Sequence, residues 1–295
     1  MHVVAAGSTA SGSRFQPGSH QLLWLGDLGP HEARELTLAR QEIGRLATVH
    51  AVADVAAAVA APPVVFRERS PAVILLAAAT PARWTLADAV ALAIRWPLAP
   101  LVSVAGSLAD GRRRSGPPLP GVEDVSWHDL AGRLAAWLDD REAGFPGTLG
   151  LPATARREER ILEGVRRRWL AGRALTAGQS PVAAPVAVAA LRQPALEGLA
   201  GLVAAIGGQV AGRSLGRPPL DDPTPLLVWE PGSVDGGVLA WLRLLVANQP
   251  GRRVILLDSF PRAETTAAAR QAGAAAILGL PLSAEALAGT LARLT

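Results

Sequence analysis

QAGAAAILGLPLSAEALAGTLARL, residues 271–294, decides the fold. Residues 275–278 form an unbroken apolar run, as a parallel strand buried on both faces does. Gly279, Leu280 and Pro281 turn the chain, and alanine and leucine then recur at helical spacing to Leu294. A strand, a tight corner and an amphipathic helix make the closing unit of an alternating α/β domain.

Upstream the same order repeats. Runs at 186–190, 226–229 and 254–257 read as strands, and 196–206, 238–246 and 265–271 as the helices that follow them. The first half shows strands at 22–25, 72–76 and 101–104 and a last strand carrying Trp127 and His128. Its helices are read at 31–46, 86–94 and 130–138. Short links between alternating strands and helices predict parallel sheets covered on both faces. Ala77 and Ala105 close strands 28 residues apart, and so do Glu230 and Asp258, which supports a duplicated architecture. The organisation expected is a flexible tail over 1–20, an α/β domain over 21–142, a linker with a basic amphipathic helix over 143–182, and a second α/β domain over 183–295.

Composition narrows the chemistry. The 295 residues suit two domains. Cysteine is absent, which excludes disulfides, thiolate catalysis and cysteine zinc sites. All 29 basic residues are arginine, so no P-loop lysine, Schiff base or pyridoxal anchor can exist. The pI of about 11.1 reflects that arginine, while the net charge is only +4. Residues 154–173 hold seven arginines and three glutamates and account for the whole excess, so nucleic-acid binding is not expected from the pI. No apolar run reaches the roughly 18 residues of a membrane span, and the N-terminus lacks signal-peptide order. A cytoplasmic protein is expected.

Residues 271–294 resemble the closing segment of the receiver domain of bacterial response regulators. That family shows Ala-Gly-Ala, two variable residues, two apolar ones, any residue, then Lys-Pro and an apolar residue. Each part is present except the lysine, whose place Leu280 takes before Pro281. The resemblance implies two flavodoxin-like (CheY-like), doubly wound parallel sheets, joined here by the basic helical linker. It also implies a pocket at the strand ends. The family's metal-holding acid pair falls on Ala190 and Leu191, its phosphoacceptor on Glu230, and its hydroxyl on Asp258 or Ser259. In the first half the corresponding places are Asp27, the one acid retained, with Ala77 and Ala105. Phosphoryl transfer depends on positioned charge, and two ligands and the cation have become hydrocarbon. The family's partner face, around the fourth strand, last strand and last helix, falls on Phe260, Pro261, Leu282 and Leu287.

The expectation is therefore a non-catalytic signalling or scaffold protein with tandem pseudo-receiver domains. It would bind a protein partner or a second copy, without aspartate phosphorylation and without cofactor or metal. Leu280 is expected to pack over Ala190 and Leu191. The alternative is a two-lobed Rossmann-like transferase that grips a phosphate-containing ligand through Arg112, Arg113 and Arg114. That loop is otherwise read as a solvated insertion. Glu230 and Asp258 together lack the third oxygen ligand that Mg²⁺ favours. His128 beside Asp129 is read as a locally satisfied histidine.

Overall fold

The computed structural model describes residues 20–26, 34–80, 82–107, 109, 119–142 and 184–295. The expected tail, the basic linker helix, Asp27 and the Arg112–Arg114 loop lie outside these residues.

The described residues form two five-stranded parallel sheets. The first contains β1 (Gln21–Leu25), β2 (Thr48–Val52), β3 (Val73–Ala78), β4 (Leu101–Ala105) and β5 (Val122–Ser126), in the order β2-β1-β3-β4-β5. The second contains β6 (Val186–Ala190), β7 (Val210–Leu215), β8 (Leu226–Glu230), β9 (Arg253–Asp258) and β10 (Ala274–Gly279), in the order β10-β9-β8-β6-β7. Numbered within each half, both orders are 2-1-3-4-5, that of the flavodoxin-like doubly wound fold. Leu75 lies opposite Val102 and Trp229 opposite Leu256, with equal spacing along the chain, so the third and fourth strands share one register in both halves.

Among the described residues, four helices flank the first sheet: α1 (Arg34–Ile43), α2 (Val55–Ala60), α3 (Leu86–Arg95) and α4 (Leu130–Glu142). Four flank the second: α5 (Gln193–Ala205), α6 (Gly236–Asn248), α7 (Ala263–Gln271) and α8 (Ala284–Leu294). Each sheet has a core on either face. In the first half α1 and α4 cover one face, and α2 and α3 the other. In the second, α5 and α8 cover one face and α6 and α7 the other.

The central strands are the uninterrupted apolar runs, because both of their faces meet helices. Sequence reading passes over β2 and β7. Both are edge strands whose residues are largely exposed or half-buried, so no buried apolar run marks them. Trp127 and His128, expected on the last strand, instead follow β5 in a turn that leads into α4.

No helix joins β7 to β8. Residues 216–225, with four prolines, run along α6 instead, and side chains satisfy their carbonyls. Trp241 Nε1 donates to Pro218 O at 3.0 Å and Asn248 Nδ2 to Leu220 O at 2.7 Å. Buried Arg252 reaches Pro219 O at 3.3 Å and Asp222 Oδ2 at 3.0 Å.

Candidate functional site

In α/β sheets of this type, ligands approach the carboxyl ends of the strands. In the second half those ends carry Ala190 on β6, Glu230 on β8, Asp258 on β9, and Leu280 and Pro281 just beyond β10. Ala190 is fully buried opposite Glu230. Glu230 turns back on the chain, and its Oε2 accepts from Leu191 N at 3.3 Å. Asp258 Oδ1 accepts from Phe260 N at 3.2 Å, and Ser259 is exposed. The Leu280–Pro281 peptide is cis, and Leu280 N donates to Asp258 O at 2.9 Å. Leu280 is half-buried against the core that holds Ala190. Leu191 departs from expectation. It is 52% exposed and lies beside Gly232 rather than under Leu280. Ala190 and Leu191 are hydrocarbon, and Glu230 and Asp258 each accept from a backbone N–H, that of Leu191 and that of Phe260. Among the described residues, no three His, Asp or Glu side chains cluster as metal ligands.

The first half closes the same location with an indole. Trp84 is buried and donates its Nε1–H to Ala77 O at 2.9 Å, at the strand end where the resemblance puts the acceptor. Gly26, with φ +127, ends β1 beside it, and a Cβ there would lie 3.0 Å from Ala77 Cβ and 3.5 Å from the indole. Only glycine fits that backbone and that space. Beyond Ala105, Glu35 at the start of α1 accepts from Ser107 N at 2.6 Å and from Ser107 Oγ at 2.5 Å. The β4 exit is thus tied to α1. Sequence reading missed both residues: Trp84 sits in a loop with no apolar periodicity, and Glu35 acts across 72 residues.

The two halves meet along one seam. α4 of the first packs on α8 of the second, and α1 lies against α7. Gly132 and Gly289 mark the crossing. A Cβ on Gly132 would lie 2.3 Å from Ala286 O, and one on Gly289 would lie 2.0 Å from Gly132 O. The helices therefore touch backbone to backbone, and both glycines are required by space.

Beside the crossing, Arg133 lies over the Trp137 ring at 4.8 Å, donates to Glu123 Oε1 at 2.8 Å, and reaches Glu285 Oε2 at 3.2 Å across the seam. Burial alone would lower the Arg133 pKa. The charges of Glu285 and Glu123 outweigh it and hold the guanidinium above its ordinary value. At the strand ends His128 packs on Gly279, and Asp129 Oδ1, 3.0 Å from His128 Nδ1, accepts from Gly279 N at 3.4 Å. Along α1 and α7, Arg270 pairs with Glu42 and Arg34 with Glu264.

The residues placed on the family's partner face differ in exposure. Of the residues placed on the family's partner face, Leu287 and Pro261 are buried, Leu282 is half-buried, and only Phe260 is well exposed. The face formed by α7, β10 and α8 is occupied by the chain's own first half.

No protein-family model and no curated protein matches the sequence. Similar solved structures include a pilus assembly-related protein of Burkholderia pseudomallei, 26% identical over 39% of this chain and 91% of that one, with a TM-score of 0.37. A pilus assembly protein of Burkholderia thailandensis is 26% identical over 38% of this chain and 97% of that one, with a TM-score of 0.36. The CheY-like protein TadZ of Pseudomonas aeruginosa is 18% identical over 38% and 99%, with a TM-score of 0.32. Each covers less than two fifths of this chain. On strand order, both halves of this chain have the flavodoxin-like fold of CheY-like receiver domains. None of the described helices is long and apolar enough to cross a membrane.

Proposed function

We propose that this chain is a signalling or scaffold protein made of two pseudo-receivers, which binds protein partners without aspartate phosphorylation. The observation that carries the phosphorylation-independent part of the reading is the seam. β10 and α8, two elements of the partner face that the receiver resemblance implies, and the neighbouring α7 pack against the first half. Receivers signal through that face. Here it packs within one chain, and the places that the resemblance assigns to phosphoryl transfer carry Ala190, Leu191 and Leu280 in one half and Ala77 and Ala105 in the other.

Phosphoryl transfer is mostly positioning and charge neutralisation, and Leu280 stands where the resemblance places the cation and Ala190 and Leu191 where it places the acid pair. Incubation with acetyl phosphate and Mg²⁺, followed by intact mass measurement, should leave the protein's mass unchanged. A stoichiometric, hydroxylamine-labile phosphoryl adduct on Glu230 or Asp258 would overturn the reading.

A further inference from the structure

Helix α3 is apolar on its outward side as well as its inward one. Ala89 and Leu92 face the core, and Trp96 caps the helix from beneath. On the opposite side Leu86, Val90, Ile94 and, just beyond the helix, Leu98 stand four residues apart, with Ile94 77% and Leu98 84% exposed. Both charges of the helix are engaged elsewhere. Asp88 closes a capping box with Thr85, accepting from its backbone N at 2.9 Å. Arg95 lies over Trp96 at 5.2 Å and donates to Arg67 O at 3.4 Å. A short turn at Val64–Phe66 is tied to the same end by Trp96 Nε1, which donates to Phe66 O at 3.2 Å, and it adds exposed Val64. A helix apolar all round belongs in an interior, and this one has solvent on one side.

We infer that α3 is the contact surface for a second copy of this chain, packed as an antiparallel pair about a two-fold axis. Residues at spacing four form a ridge that packs into its own copy, and a closed two-fold contact of one patch with itself is the commonest route to a dimer. The five exposed side chains offer an apolar patch on the order of 500 Å². Two such patches would remove about 1,000 Å², the lower bound for a specific interface. The inference goes beyond the proposed function, since it concerns neither the strand-end pockets nor the seam.

The test is sedimentation of the full chain across a concentration series. A dimer should form at micromolar concentration. Ile94→Glu should weaken it at least tenfold while leaving the thermal midpoint within a degree or two, because the side chain is exposed. Because the chain has no cysteine, Ile94→Cys supplies a single thiol near the axis and should give a disulfide-linked dimer on mild oxidation. Leu244→Cys, exposed on α6, should give little or none. A chain that remains monomeric, a dimer indifferent to Ile94→Glu, or equal cross-linking at the two cysteines would overturn the inference.

Discussion

At the scale of single residues, Trp84 fills the first half's strand-end location and Leu280 half-covers that of the second. Trp84 combines burial with one hydrogen bond to Ala77 O. Trp84→Ala should cost about 3–5 kcal/mol in chemical denaturation, the range for deleting a buried aromatic. Leu280 is only half-buried, so Leu280→Ala should cost about 1–2 kcal/mol, less than the full-burial range of about 2–4. Asp222 supplies a pH dependence. Burial opposes its ionisation, but hydrogen bonds from Thr224 and the charge of Arg252 outweigh that and set its carboxyl below its ordinary value. A depressed folded-state pKa gives stability that is present above the unfolded value of about 4 and lost as pH falls through the folded one. Acid titration of stability should therefore be flatter for Asp222→Asn than for the wild type below about pH 4. Little of this was legible in sequence. The Leu280-Pro281 corner was, because the two residues are adjacent. Trp84–Ala77 and Arg252–Asp222 were not, since they join residues that only the fold brings together.

At the scale of elements, the α4–α8 crossing makes a sharp contrast among glycines. Helical glycine normally costs roughly 1 kcal/mol relative to alanine. Gly198 and Gly201 in α5 have nothing within 4 Å of an added Cβ, so Gly→Ala at either should stabilise by about 0.5–1 kcal/mol. At Gly289 the added carbon would meet Gly132 O, and overpacking of about 1–3 kcal/mol should override the propensity gain. Denaturation of Gly198→Ala beside Gly289→Ala checks the opposite signs. The sequence showed α8 as amphipathic but could not say what covers its second face. A glycine at a helix crossing looks the same in sequence as one facing solvent. The edge strands β2 and β7 were missed for a related reason, as one-sided burial leaves no apolar run to read.

At the scale of the whole molecule, two halves of one fold are paired through unlike surfaces, α1 and α4 of the first against α7 and α8 of the second. The duplication was legible, because strand-to-strand spacing survives when sequence similarity does not. The pairing was not, because it depends on Arg133–Glu285, His128–Gly279 and the two glycines, all contacts between residues far apart in the chain. The central claim is that this pairing holds the partner face closed regardless of phosphodonor. Hydrogen exchange of α4 and α8 in the full chain, with and without acetyl phosphate and Mg²⁺, tests it most directly. The account predicts slow exchange in Leu130–Glu142 and Ala284–Leu294, as in core elements, and the same rates in both conditions. Exchange of α8 as fast as a solvent-facing helix, or protection that changes when the phosphodonor is added, would contradict it.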